Sequence, residues 1–160
     1  GPCVRPLVVP GQLEVVRARR AAYRLVYELY LEKEYALPHP SKMWLSIFDA
    51  LPETATLVVK RGDGVVGAVT VVFDSDIGLP AEKLYGNELD GLRQRNRKLA
   101  EIVSLGVCPH ADRGSEILVK LFSFVYIFSR RIRGATDFIN TVSAARSPAG
   151  LPVRGSMTCP

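Results

Sequence analysis

The stretch that decides the fold is Leu99 to Phe122, LAEIVSLGVCPHADRGSEILVKLF. Its first nine residues alternate as a strand does, which places Leu99, Glu101, Val103, Leu105 and Val107 on one face. Pro109 and a polar cluster then break the pattern. After Arg113-Gly114 the apolar residues Ile117, Leu118, Leu121, Val125, Phe128 and Ile132 recur at helical spacing, which predicts a helix over 114–133 closed by Gly134. Thr136 to Val142 reads as another strand. A strand, helix and strand in that order cross over right-handed, so the two strands pair in parallel.

Upstream, the β-branched runs Thr56–Lys60 and Val65–Phe73 flank RGDG, a tight-turn sequence, and predict an antiparallel hairpin. Val4 to Val9 is a short edge strand, restricted by Pro6 and Pro10. Leu13 to about Lys33 is an amphipathic helix whose strip of Tyr23, Tyr27 and Tyr30 either packs or walls a substrate. The two prolines of LPHPS end that helix. Met43–Leu51 reads as a short helix or a strand, and Leu79–Arg95 as a helical excursion. The sum is a mixed α/β domain over residues 1–142, a central sheet flanked by helices. Residues 143–160, SAARSPAGLPVRGSMTCP, carry Pro and Gly without periodicity and are expected to be irregular.

A chain of 160 residues suffices for one core. The net charge of +5 favours an acidic partner, and the excess gathers at Arg93–Lys98 and Arg130–Arg133. These clusters lack interleaved aromatics, so nucleic acid is not the expected partner. Cys3, Cys108 and Cys159 lie far apart without metal-ligand spacing, so no metal site or disulfide framework is expected, and Cys108 reads as a small, partly buried apolar residue. No run is long and apolar enough to predict a membrane span, and a bacterial-type cytoplasmic enzyme fits best.

Two features point to chemistry. A strand entering a helix through a tight turn leaves the first helical N–H groups without internal partners beside the positive end of the dipole. Arg113 adds charge there, Gly114 permits close approach and Ser115 supplies a hydroxyl, so the turn either seats a phosphate or is a plain helix start capped by Asp112 or Ser115. Glu101 is a carboxylate within an apolar strand. Buried, it would have a raised pKa and could take a proton from an ammonium; otherwise it pairs with Arg97 or Lys98, or faces water.

Val107, Pro109, Arg113 and Gly114 resemble the V-x-P…R-G signature with which the GCN5-related N-acetyltransferase superfamily grips the pyrophosphate of coenzyme A. One extra residue precedes the Arg here, and Glu116 and Leu118 stand where Gly or Ala is usual. Longer phrases, RLVYELYLEKEYALPHPS, ALPETATLVVKRGDGVVGAVTVVFDSDIGLPAEKLY and ELDGLRQRNRKLAEIVSLGV, are similar to the N-acyl amino acid synthase group, relatives of acyl-homoserine lactone synthases in that superfamily. The resemblance covers residues 14 to about 142. It implies transfer of a long acyl chain from acyl carrier protein to the α-amino group of an amino acid, with acyl-phosphopantetheine as donor rather than a tightly bound cofactor. Glu101 would then be base or orienter, the Val107 N–H would polarise the thioester carbonyl, and Arg113–Ser115 would hold the pantetheine phosphate. Arg130, Arg131 and Arg133 would dock the acidic carrier or simply be a solvated helix end. The alternatives within this reading are an acyl-coenzyme A-dependent N-acetyltransferase and a non-catalytic carrier-binding remnant. The family's later Arg-His, Phe-Tyr and Gly-Phe pattern, with its C-terminal helix and strands, has no counterpart after Val142. An exposed sheet edge there would invite a homodimer.

Overall fold

Arg61 and Gly64 pair across the hairpin, so its loop is Gly62-Asp63, with Gly62 taking the positive φ of 57° rather than the Asp-Gly pair forming the turn. The computed structural model describes residues 6–8, 13–111, 113–141, 145–146 and 152–153. In chain order these give β1 (Pro6–Val8), α1 (Leu13–Glu32), β2 (Thr54–Arg61), β3 (Gly64–Phe73), α2 (Glu82–Gln94), β4 (Leu99–Val107), α3 (Gly114–Ile127), β5 (Asp137–Asn140), β6 (Ala145–Arg146) and β7 (Pro152–Val153). A five-stranded sheet runs β1-β2-β3-β4-β5, with β1 to β4 antiparallel and β5 parallel to β4, as the crossover requires. Within the segment expected to be irregular, β6 and β7 pair antiparallel.

Helix α3 covers one face of the sheet, packing Ile117, Leu121 and Val125 on Leu57, Val59, Val69, Val71, Phe73, Ala100 and Leu105. The other face is shared. Helix α1 sets Ala18, Ala22 and Val26 on Val58 and Ala68, while Leu79, Ala81 and Leu89, from α2 and the loop before it, close over Val72 and Leu99. Burying these side chains contributes roughly 25 cal/mol per Å² of apolar surface removed from water. Neighbouring glycines allow both layers to sit close: a Cβ on Gly67 would lie 2.6 Å from Ile117 Cγ2 of α3, and one on Gly106 would lie 2.9 Å from Leu29 Cδ1 of α1.

Three local expectations change. Met43–Leu51 is neither an α-helix nor a strand; a single 3-10 turn, Ile47–Ala50, follows an irregular stretch. The predicted 114–133 helix is α-helical to Ile127 and then widens into a π turn, Phe128–Ile132, with Gly134 in the left-handed region at φ 70°. Strand β5 ends at Asn140, and Val142 lies outside the described residues.

The largest correction concerns β4. Thr70 pairs with Ser104 and Val71 with Ile102, so Val103 is an extra residue, a bulge, and the alternation reverses across it. Leu99 and Val103 pack toward α2, whereas Leu105 and Val107 join the α3 core. Strict alternation would have kept all of them with Glu101 on one face. No described helix is long and apolar enough to cross a membrane.

Candidate active site

Strand β4 pairs with β5 from Leu99 to Ile102; beyond Asn140, where β5 stops, the remainder of β4 has no strand on that side among the described residues. The Cys108 N–H donates to the Val66 carbonyl at 2.9 Å, toward β3. Alternation along the strand therefore turns the Leu105 and Val107 N–H groups the opposite way, into the gap. The Leu105 N–H has the Tyr30 hydroxyl 3.5 Å away. Tyr30 is held edge-to-face by Trp44 at 5.0 Å and Tyr35 at 6.0 Å. The tyrosine strip thus divides: Tyr23 and Tyr27 are buried in packing, and Tyr30 brings its hydroxyl to the open strand.

At the far end of the gap lies the turn. Arg113 is the N-terminal boundary residue of α3, in the left-handed region at φ 63°, and its side chain is largely exposed, with a 3.5 Å contact to Glu116. That conformation is uncommon for a residue with a Cβ, and the Arg113 carbonyl takes the Glu116 and Ile117 amides at 2.9 and 3.2 Å. Among the described residues no side chain caps the helix, Ser115 included; Asp112 lies outside them. Gly114 opens the helix beside Val107, whose Cγ1 would lie 3.8 Å from a Cβ there. Val107, Arg113 and Gly114 are thus neighbours, and Ser115 is exposed on the first helical turn.

Glu101 sits at the other end. Six residues before Val107, it is roughly 20 Å away along the strand. Its side chain is 1% exposed and faces α2. One carboxylate oxygen accepts from the Ala81 N–H at 2.8 Å, at the N-terminus of α2, and the other from the Thr141 hydroxyl at 3.1 Å. Burial raises its pKa, the two hydrogen bonds pull it back down and nearby Glu82 adds to the rise. The pairing with Arg97 or Lys98 expected from sequence does not occur. Arg97 instead forms a two-pronged ion pair with Asp137 at 2.6 and 2.9 Å. Glu82 is held by Arg93, which also grips Asp74 through two 2.7 Å bonds and Asp90 at 2.8 Å. These hydrogen bonds hold the Arg93 pKa above its ordinary value despite partial burial.

Sequence reading missed Thr141 and the Ala81 N–H, Glu101's two partners. Thr141 is 40 residues away and exposed just beyond β5, and the only signal for it was its place after the parallel strand. Leu105 was also missed as a backbone donor, because the bulge that turns its N–H outward leaves no mark in the pattern. Among the described residues no three His, Cys, Asp or Glu side chains gather to hold a metal ion. Cys108 is half-buried, as expected of a small apolar residue.

Comparison with known proteins places the fold and the family. The family model for N-acyl amino acid synthase FeeM matches residues 21–148. No curated protein matches the chain. Among solved structures, FeeM, an N-acyl amino acid synthase from uncultured soil microbes, superposes with a TM-score of 0.72 at 21% identity, over 89% of this chain and 72% of that one. A possible acetyltransferase from Clostridium difficile 630 gives 0.59 at 14% identity, over 91% and 84%. Ribosomal-protein-alanine N-acetyltransferase from Brucella melitensis biovar Abortus 2308 gives 0.56 at 12%, over 87% and 80%. The fold is that of the GCN5-related N-acetyltransferases, and the chain belongs to the FeeM family of N-acyl amino acid synthases, which makes it an N-acyltransferase.

Proposed function

We propose that the protein moves a long-chain acyl group from the phosphopantetheine thioester of acyl carrier protein to the α-amino group of an amino acid. The observation that carries this reading is the gap beside β4: outward backbone donors at Leu105 and Val107, a basic helix-opening turn at one end, and a desolvated carboxylate at the other. The pantetheine phosphate sits on the amides and side chains of Arg113, Gly114 and Ser115, and the arm runs back along β4 toward Glu101. The Val107 N–H grips the arm. The Leu105 N–H, two residues or about 7 Å closer to Glu101, exchanges its long bond to the Tyr30 hydroxyl for the thioester carbonyl and polarises it as negative charge develops on its oxygen.

Glu101 acts through Thr141. The acceptor ammonium loses a proton to the Thr141 hydroxyl oxygen as the hydroxyl passes its own proton to Glu101, and the free amine attacks the carbonyl. Collapse of the tetrahedral intermediate breaks the C–S bond, and the second proton lost by the attacking nitrogen goes to the departing sulfur, which leaves as the carrier thiol. A raised pKa suits this role, because it makes the carboxylate a stronger base.

The test is turnover of long-chain acyl carrier protein with a pool of amino acids, read by mass spectrometry of N-acyl products, in wild type and Glu101→Gln. Wild type yields product, and the variant loses about 10²–10⁴-fold in kcat. Its stability moves the other way. A carboxyl whose folded pKa is raised loses stability as pH rises from the unfolded to the folded pKa, so the charged form is a burden above that window. Glu101→Gln keeps an acceptor for Ala81, removes that burden and is expected to melt no lower than wild type at neutral pH. A variant that is destabilised yet active makes Glu101 an anchor for α2 and nothing more. Turnover of acyl-coenzyme A but not of the carrier overturns the donor assignment, and an untouched thioester overturns the reaction.

A further inference from the structure

Two basic clusters distant in sequence meet at the pole opposite the turn. A cavity of about 440 Å³, within the range of small-molecule sites, opens where β3 ends, β4 begins and the π turn finishes. Arg97, Lys98 and Arg133 reach it, with Asp74 as the acidic member. The charges do not cancel internally. Asp74 is taken by Arg93 and Arg97 by Asp137. Arg130 is turned to the carbonyls of Ala135 and Thr136, which offsets the negative end of the helix. Lys98 and Arg133 remain without an ion pair among the described residues.

Both cations border the cavity. The Arg133 guanidinium lies 4.8 Å over the Phe73 ring, and Lys98 Nζ approaches to 3.9 Å of where a Cβ on Gly134 would be, beside Arg133. Phe73 and Ile132 give the same cavity apolar wall. Arg133 is nineteen residues along the helix from Gly114, roughly 25–30 Å. A phosphate seated at Arg113 is therefore out of reach of these side chains.

We propose that this cavity binds a small amphiphilic carboxylate, its head between Lys98 and Arg133 and its apolar portion along Phe73 and Ile132, at a site separate from the acyl-transfer gap. Two uncompensated cations select an anion, and the apolar walls favour one carrying hydrocarbon over a bare ion. A free fatty acid and an N-acyl amino acid share this chemistry.

The test uses the full chain, with no acyl donor present, so it is independent of turnover. Octanoate, N-octanoyl glycine, octanol and inorganic phosphate are titrated while the Lys98, Leu99 and Ala135 amides and the Ile132 methyl are followed by NMR. Octanoate or the N-acyl compound gives saturable shifts at these positions, the tighter of the two identifying the source, and octanol and phosphate bind at least about tenfold more weakly. The Lys98→Met/Arg133→Gln variant loses about tenfold in affinity, whereas Arg113→Gly binds as wild type does. Should the double variant not fold, Lys98→Met alone removes one exposed charge and still weakens binding several-fold. Octanol matching octanoate, phosphate matching octanoate, unchanged affinity in the variant, or shifts confined to Gly114–Ser115 each overturn the proposal.

Discussion

From Ala100 to Ile102, β4 is paired on both sides, with β3 and with β5; from Ser104 to Val107 it keeps β3 and, among the described residues, loses β5. In the closed half the polar group of interest is a side chain. Glu101 is buried with both oxygens accepting, so its chemistry comes from desolvation and from the groups that reach it. In the open half the useful groups are backbone N–H donors left by the missing neighbour. The bulge at Val103 divides the two and reverses the faces between them, so that Val107 points toward α3 and the turn while Glu101 points toward α2. A strand paired throughout would have neither donors nor room; one open throughout would leave Glu101 wet and its pKa ordinary.

The strongest way to break this division, after the Glu101 substitution, is to remove an open-half donor. Val107→Pro deletes an N–H that faces the gap rather than the ladder, a position where Pro is tolerated. If Val107 grips the arm and Leu105 polarises the carbonyl, the acyl-carrier KM rises about tenfold with kcat little changed. A loss of about 10²–10³ in kcat at constant KM instead assigns Val107 the carbonyl. Steady-state kinetics separates the two.

Next in size is Gly106→Ala. Its Cβ would lie 2.9 Å from Leu29 Cδ1 and 3.3 Å from Val26 Cγ2, pushing α1 off the open half and costing about 1–3 kcal/mol in urea unfolding. Because α1 also carries Tyr30, whose hydroxyl meets the Leu105 N–H, kcat is expected to change too. An unchanged midpoint means that α1 is looser on this half than its contacts indicate.

Arg113→Gly separates charge from conformation at the turn. Glycine relieves the left-handed conformation and stabilises by about 1 kcal/mol, while loss of the guanidinium weakens phosphate binding about tenfold. Thermal unfolding and phosphate titration of the same variant read the two effects. If both fall, Arg113 is chiefly a structural residue.

The closed half was more legible in the sequence than the open half. Strands β2, β3 and β4 and helices α1 and α3 follow from β-branched runs and helical spacing, and parallel pairing of β5 follows from chirality alone. Glu101 stood out because a carboxylate in an apolar strand must have a partner or a use. The partners themselves were hidden: Ala81 contributes a backbone N–H, which has no sequence signature, and Thr141 is brought close by β5. The bulge was equally hidden, since LAEIVSLGV alternates without interruption and only the pairing with β3 reveals the extra residue. The meeting of Lys98 with Arg133 is of the same kind, two local charge clusters joined by topology.

The smallest effect belongs to the start of the closed half, where Arg97 and Asp137 pin the first residues of β4 and β5 together. Arg97 holds the Asp137 carboxyl below its ordinary pKa, and the Thr136 hydroxyl helps. The sign follows: the pair contributes above the unfolded carboxylate pKa, and the contribution is lost as pH falls through the lowered one. Both side chains are partly open to water, and such pairs are weak and screened. Arg97→Ala is therefore expected to lower Tm slightly at pH 7 and low ionic strength. The difference should vanish in 1 M salt, where the Debye length is about 3 Å, and shrink below the Asp137 pKa. A loss that survives both high salt and acid would mean that the guanidinium stem packs the end of the sheet, and that closure of this half depends on more than its ladder of hydrogen bonds.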